Sequence, residues 1–284
     1  MRRSLPLVCG VFVCVSLVRA ADPPDESTRL KLAAAMRVLK DSSGPERITA
    51  LQDIAKLGQA GKPAAKLVGD ACFDPSAKVR TAAMDALEKI WPEMYEAGVA
   101  LLRDNEDRFS KSEKREKACQ MIAGLTENAD VGIPFLLAHL KAHLEKDNDF
   151  FGVNSALSAN VEALNKLAPE NKTYHKTLIV AVTSPGIKPR HRCLAITTLG
   201  DLGQEHPALR RQFLPTLKQG LVIGQLQRDQ SAGPAIQVAA IDAMGKFGKD
   251  ARIQLSLLKK LKQDRSDQVR KAAAAAIESI EGDK

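Results

Sequence analysis

An internal repeat dominates this sequence of 284 residues and limits the folds that it can adopt. The segments DPSAKVRTAAMDALEKI (74–90) and DRSDQVRKAAAAAIESI (264–280) share an Asp, a Val-Arg pair and the same spacing of alanine and apolar residues. Alignment on that arginine gives seven copies, centred on positions 47, 80, 115, 157, 192, 237 and 270. Each copy has a small residue (Asn in the fourth) at offset +3 from this position and apolar residues at +4, +7 and +10. These offsets lie on one face of a helix, so each copy predicts a half-buried helix.

The C-terminal, alanine-rich segment is the seventh copy. Its offsets predict that Ala273, Ala274, Ile277 and Ile280 continue the buried face, with Ala272, Ala275 and Ala276 left on a bland outer end. Because no eighth copy follows in this sequence, small residues suffice there and helix propensity matters more.

A second amphipathic segment lies between successive copies. Examples are PAAKLVGDACF (63–73), PFLLAHLKAHL (134–144) and RRQFLPTLKQGL (210–221). Each copy is therefore predicted to be a helix pair, and because one pair cannot bury its apolar face alone, the pairs must stack. An aromatic content of only 4% suits helices that pack through small and medium side chains. The predicted fold class is all-α.

In this pattern the chain resembles the HEAT-repeat family of armadillo-like helical solenoids, from about residue 26 to residue 280. The motif that carries the resemblance is an Asp six residues before the aligned Arg. It occurs as Asp41 with Arg47, Asp74 with Arg80, and Asp264 with Arg270. The resemblance implies a right-handed superhelical solenoid of about seven helix pairs, in which these six residues form a structural ladder between neighbouring turns. The other four copies depart from the motif through Phe109, Leu157, Gly186 and Gln237, and there the ladder is expected to break.

The resemblance also implies that the second helix of each pair lines a concave surface. Offsets +5 and +9 are predicted to form two exposed stripes on that surface. The residues predicted for this partner-binding face are Gln52, Lys56, Asp85, Lys89, Gln120, Glu162, Lys166, Thr197, Asp201, Asp242 and Lys246. Acid-before-base spacing of four residues predicts ion pairs within one helix, such as Asp85 with Lys89. The stripes are therefore either a solvated face of paired charges or a surface for a partner.

Two insertions lengthen the spacing before the fourth and sixth copies, around EKDNDFFG (145–152) and GQLQRDQSAGP (224–234). Insertions in a solenoid map to loops on one edge, where binding often occurs. Phe150 and Phe151 are therefore candidate anchors for a partner, or else they plug the apolar face of the following helix.

One constellation carries possible metal chemistry. In HLKAHLEKD, the residues His139, His143 and Asp147 recur every four residues, and two histidines at that spacing can chelate a metal. A general base in a His-Glu-x-x-His arrangement is missing, and HEAT-repeat enzymes that hydroxylate a modified lysine carry His-Glu pairs, which do not occur in this sequence. An ordinary polar helix face gives the same spacing, so no metal, cofactor or catalytic residue is predicted.

The first twenty residues predict export. MRRSLPLVCGVFVCVSLVRA has two arginines, an apolar stretch at 5–18 and Val18-Arg19-Ala20, which is the pattern of a signal peptide cleaved after Ala20. Residues 1–20 are thus predicted to be a signal peptide, and residues 21–284 a solenoid domain with an N-terminal helix at about 26–40 and repeats to about 281. In a secreted or periplasmic protein the remaining Cys72, Cys119 and Cys193 are predicted to be buried, unpaired thiols.

The predicted function is that of an exported, non-catalytic protein-interaction module or scaffold. The alternative is an enzyme, or an enzyme accessory factor of the kind found among HEAT-like lyases, with a site on the concave face. The expected partner is a protein and the expected state is a monomer, with no integral membrane segment after signal removal. Nucleic acid is not expected, because the positive charge is mild and no stripe residue is aromatic.

Overall fold

The computed structural model describes residues 25–102, 110–125, 127–145, 155–227 and 232–282. Within these ranges all regular structure is helical. The predicted signal peptide at 1–20 and the candidate residues Asp147, Phe150 and Phe151 lie outside them and stay predictions. None of the described helices is long and apolar enough to cross a membrane.

Along the chain, the first and the second helix of each predicted pair follow one another in turn. The first members, called A helices, are α1 (Glu26–Asp41), α3 (Ala65–Ala71), α5 (Pro92–Leu102), α7 (Ile133–Glu145), α9 (Lys172–Thr183), α11 (Arg210–Leu226) and α13 (Leu255–Leu261). The second members, called B helices, are α2 (Gly44–Lys56), α4 (Ala77–Ile90), α6 (Ser110–Ala123), α8 (Ser155–Leu167), α10 (Pro189–Glu205), α12 (Gly233–Gly245) and α14 (Asp267–Gly282). Each B helix carries one copy of the repeat, so the predicted all-α solenoid of helix pairs is confirmed, and α1 matches the predicted N-terminal helix.

The apolar offsets form the core. Leu51 and Ile54 of the first copy are fully buried, as are Leu199 and Leu202 of the fifth. Their burial joins the A and B helices into one continuous apolar cluster from α1 to α14. The three cysteines described here are free thiols; Cys72 and Cys119 are buried as predicted, whereas Cys193 is half-buried. Burial raises the pKa of Cys72 and of Cys119 to about 12.

Turns of the same kind connect α2 to α3 and α12 to α13. Gly58 and Gly248 each follow a B helix with φ of 53°, a left-handed conformation that glycine adopts without steric cost. A short 3₁₀ helix follows each glycine, at Gly58–Ala64 and at Gly248–Gln254.

The C-terminal end differs from the prediction. Ala274 is exposed, whereas Ala272 and Ala276 are buried. Offset +6 faces the preceding repeat, and a Cβ placed on Gly245 of α12 would lie 3.3 Å from the Cβ of Ala276. The outer end of α14 instead presents Ala274 and Glu278 to solvent. Ala275 is exposed as predicted, so this end combines one carboxylate with bland alanines, and +4 is an alanine because nothing in the described chain packs on it.

The predicted ladder has one rung between repeats, in which Arg47 donates to the carboxylate of Asp74. The other four members contact their own repeat. Arg80 donates to the carbonyl oxygens of residues 74 and 75, and Arg270 to those of residues 264 and 265. Asp264 accepts from the backbone N–H of residue 266, and Asp41 lies 4.0 Å from Arg37.

The sequence explains why the ladder stops at one rung. A rung joins the Arg of one copy to the Asp of the next. Arg80 is followed by Phe109 at the Asp position, and Asp264 is preceded by Gln237 at the Arg position. Asp41 and Arg270 belong to the first and seventh copies, and the described residues include no further copy on that side.

Candidate functional site: the B-helix face

The two predicted stripes lie on the solvent side of the B helices. Nine of their eleven polar residues are exposed, and Asp201 and Lys246 are half-buried. The surface that was predicted from the offsets therefore exists, and it is called the B-helix face below.

The ion pairs predicted within single helices are wrong. Lys166 donates to the carbonyl oxygen of Ala123 in α6 at 2.8 Å, and Lys246 pairs with Asp201 of α10. The nearest carboxylate of Lys89 is that of Glu88, at 3.9 Å. Lys166 and Lys246 thus reach sideways to the preceding B helix, where they meet a terminal carbonyl group and a carboxylate, respectively. Lys56, at the same offset, pairs with Asp53 of its own helix at 2.7 Å.

The B helices stack in three groups. Helix α2 packs on α4, α6 packs on α8, and α10, α12 and α14 pack in succession. Between α4 and α6, and between α8 and α10, the described residues make few or no close contacts. The A helices bridge both places, since α5 contacts α4 and α6 while α9 contacts α7, α10 and α11. These two places are called B-layer breaks.

Offset +8 distinguishes the stacked helices from the breaks. The stacked interfaces have Ala55, Ala123, Gly200 and Gly245 at this offset, the breaks have Glu88 and Asn165, and the C-terminal end has Glu278. A Cβ on Gly200 would lie only 2.7 Å from the Cβ of Ala243, so the stacked helices approach too closely for a larger residue. Asn165 instead accepts a hydrogen bond of 2.8 Å from the buried Tyr174 of α9.

The residue at offset +9 also differs in type at the two B-layer breaks. In α8, α12 and α14 this residue reaches the preceding B helix, and in α14 the Ser279 hydroxyl donates to the carbonyl oxygen of Gly245 at 2.9 Å. In α10 the same offset is Asp201, which has no proton to donate, and after α6 it is Gly124. Offset +8 therefore marks the breaks in the sequence, whereas +9 reaches the preceding B helix in α8, α12 and α14 but not in α4.

The carboxylates at +5 form no ion pairs within the described part of the chain. Asp85, Glu162 and Asp242 are exposed, and no ion pair joins any of them to another described residue. Packing around Asp242 raises the pKa of its carboxyl group through desolvation, an effect that nearby Lys246 opposes. The B-helix face therefore offers an acidic stripe, defined as Asp85, Glu162 and Asp242, that can accept cations.

The candidate metal ligand His139 lies in the core rather than on a polar helix face. It is buried, and its Nδ1 lies 2.9 Å from Nδ2 of Asn160, which also donates to the carbonyl oxygen of Leu136 at 3.0 Å. Nδ1 must then be the acceptor. Burial, with smaller contributions from His143 and Arg115, lowers the pKa of His139 to about 3, so the ring is neutral.

The ring of His143 packs edge-on against His139, with centroids 4.3 Å apart. Among the described residues no three His, Cys, Asp or Glu side chains are placed to hold a metal ion. Asp147, the third member of the predicted set, lies outside those residues.

Comparisons with known proteins concern the fold. No family model matches the chain, and no curated protein matches it. Among solved structures, it is similar to human deoxyhypusine hydroxylase in complex with glycerol. The identity is 16%, the match covers 90% of this chain and 98% of that chain, and the TM-score is 0.36.

The prediction of a non-catalytic scaffold is corrected by this comparison. The solved protein is, by its name, an enzyme. The likeness is one of fold, and none of the five histidines of this chain is followed by Glu. The alternative of an enzyme or enzyme accessory factor is developed below from the residues of this chain.

Proposed function

We propose that this chain is an exported, monomeric, HEAT-like enzyme accessory factor. In this proposal its acidic stripe holds a basic segment of a partner enzyme, and the partner carries out the reaction. Export is inferred from the signal-like residues 1–20, with cleavage after Ala20.

The observation that carries the proposal is the division of charge on the B-helix face. The lysines of α8 and α12 are engaged by neighbouring B helices, so the exposed carboxylates of Glu162 and Asp242 have no ion-pair partner among the described residues. Covering such carboxylates with an apolar or acidic surface would cost desolvation energy without repayment. A segment rich in Lys and Arg supplies the missing counter-charges, steers the encounter and fixes the register. The same acidic stripe disfavours nucleic acid.

The test compares two sets of three charge-neutralising substitutions. Asp85→Asn, Glu162→Gln and Asp242→Asn remove the acidic stripe. The control set of Glu93→Gln, Glu96→Gln and Glu170→Gln removes three exposed carboxylates elsewhere, so the net charge changes equally. Each protein is immobilised and exposed to the extracellular or periplasmic extract of its own source, and the activity of any captured enzyme is assayed with and without the added chain.

The expected result is one captured enzyme whose activity changes with the wild-type chain and the control set, but not with the stripe variant. Equal capture and equal activation by the stripe variant would overturn the role of the acidic stripe. Turnover by the purified chain alone, without a partner, would show that the chain itself is the enzyme and overturn the accessory role.

A further inference from the structure

A cavity of about 650 Å³ opens at the surface of the described chain, and none of its described lining residues belongs to the acidic stripe. It lies between the loop that joins α9 to α10 and the C-terminal end of α11. Its lining residues are Thr183, Ser184, Pro185, Gly186, Ile187, Lys188, Pro189, Arg192, Ile223 and Gln227. Arg192 and Lys188 are the cationic residues among them, and none of these described residues is acidic.

Arg192 brings a buried positive charge to this cavity. The residue is only 3% exposed, and its guanidinium donates to the carbonyl oxygens of Val182, Ser184 and Ile187. These contacts hold the loop, as the corresponding arginines do in other copies, but they bring no negative charge. Burial lowers the pKa of Arg192, as expected for a guanidinium that lacks a compensating anion.

The sequence shows why this arginine differs from Arg47, which meets Asp74. The ladder aspartate of its own copy is replaced by Gly186, and the next copy has Ser231 at that position. Arg192 therefore carries the positive charge of the motif, although neither of the two aspartates that could pair with it is present.

The other residues that line the cavity indicate which groups of a ligand would lie beside an anion bound near Arg192. Oε1 of Gln227 is buried without a hydrogen-bond partner in the structure, and rotation of that amide would turn its NH₂ group to the same place. Ile187, Ile223 and Pro185 supply apolar surface beside it. A carboxylate carried next to an apolar side chain satisfies the guanidinium, the amide and the apolar wall together.

We propose that this cavity binds the carboxylate of an acidic, partly apolar peptide segment. The site is independent of the acidic stripe, which has the opposite charge and takes the opposite kind of peptide. Arg192 supplies the charge, and the Gln227 amide orients the carboxylate.

Removal of Arg192 would also release the loop, so the test changes Gly186 instead. Gly186 has φ of 80° and a Cβ there would meet no atom within 4 Å, so Gly186→Asp introduces a carboxylate into the lining at the cost of backbone strain only. Gly186→Asn has the same shape and the same strain without the charge, and it is the matched control. Circular dichroism melts of both variants report the strain separately.

The probes are N-acetyl-Leu-Asp-amide, which has a side-chain carboxylate, N-acetyl-Asn-Leu with a free C-terminal carboxylate, and the neutral N-acetyl-Leu-Asn-amide. Inorganic phosphate is the fourth. Binding is followed by NMR shifts of the backbone amides of residues 184–192. We expect one carboxylate peptide to bind about tenfold more tightly than the neutral peptide, the ratio for one charge-assisted hydrogen bond. Gly186→Asp should remove that preference and Gly186→Asn should keep it.

The better of the two carboxylate probes identifies whether a side chain or a chain terminus is the ligand. Equal binding of charged and neutral peptides would overturn the proposal, as would equal binding by the two Gly186 variants. Phosphate binding more tightly than either peptide would overturn the peptide assignment. None of these outcomes depends on the acidic stripe, so failure here leaves the accessory-factor proposal unaffected, and the reverse is also true.

Discussion

At the scale of single residues, Asn160 is the most unusual member of the repeat. The other copies place alanine at offset +3, where helices pack closely, but Asn160 puts an amide into the fully buried layer. Its NH₂ group is held by His139 and by a carbonyl oxygen, while its Oδ1 and the Nε2 of His139 have no hydrogen-bond partner in the structure. A half-satisfied polar pair of this kind costs stability, and its cost depends on protonation.

His139 should therefore make the fold sensitive to acid. The unfolded chain protonates this histidine near its ordinary value of 6.5, whereas the folded chain has a pKa of about 3 there. The stability due to this group is complete above pH 6.5 and falls as the pH is lowered toward 3, by at most about 1.4 kcal/mol per pH unit. In His139→Asn, whose amide oxygen can replace Nδ1 as acceptor, urea unfolding between pH 4.5 and 7 should show a slope smaller by about one proton.

The control for that measurement is the wild-type chain unfolded under the same conditions, because the prediction concerns the difference between its slope and that of His139→Asn. If the slope of His139→Asn equals that of the wild type, His139 is not the acid-sensitive group.

At the scale of helices, the residue at offset +8 decides whether two B helices stack. Gly200→Ala should destabilise the fold by about 1–3 kcal/mol, because the added methyl group meets Ala243 at 2.7 Å and forces α10 away from α12. Helix propensity alone predicts the opposite sign, a gain of up to about 1 kcal/mol. The free energy of unfolding of Gly200→Ala, measured with urea, shows whether the steric overlap or the gain in helix propensity dominates.

Glu88→Ala is the matched change at the same offset. Helix α4 has no stacked B helix on that side in the described chain, so the change in free energy of unfolding should stay within about 0.5 kcal/mol. A stabilised Gly200→Ala, or a Glu88→Ala that is equally destabilised, would show that +8 does not control stacking.

The repeat pattern predicted the helices well because burial at +3, +4, +7 and +10 is a local consequence of helical periodicity. It failed at Ala274, where the offset is right but no neighbouring repeat covers it. It also failed for Lys166 and Lys246, because a four-residue spacing shows that a pair within a helix is possible and does not show that a neighbouring carbonyl or carboxylate competes for the lysine. The breaks are visible in the sequence at Glu88 and Asn165, but only once the offset that faces the next helix is known.

At the scale of the whole molecule, two offsets that carry small apolar residues within the described stack of B helices carry carboxylates at its two ends. Offset +6 faces the preceding repeat and is Asp53 in the first copy, whereas Ala86, Ala243 and Ala276 occupy it within the stack. At the other end, Glu278 occupies +8. Capping repeats need a polar outer face, so these two carboxylates keep the ends of the stack in solvent.

The B-layer breaks should divide the unfolding of the chain. In a solenoid, repeats are coupled through their nearest neighbours, and a poorly stacked interface weakens that coupling. Ile241→Ala removes a fully buried side chain from α12 at a cost of about 2–5 kcal/mol. We expect native-state hydrogen exchange, read by mass spectrometry, to show lost protection in α10, α12 and α14 with little change in α2 and α4.

Leu51→Ala is the mirror experiment, since it empties an equally buried site in α2. It should lower protection in α2 and α4 and spare α10, α12 and α14, because the two breaks lie between these groups. Equal loss of protection along the whole chain in both variants would mean that the A helices alone couple the repeats into one cooperative unit. The acidic stripe crosses both breaks, since Asp85, Glu162 and Asp242 belong to three different groups. A partner bound along the stripe would therefore join groups that otherwise open separately, and it should raise the protection of all three together.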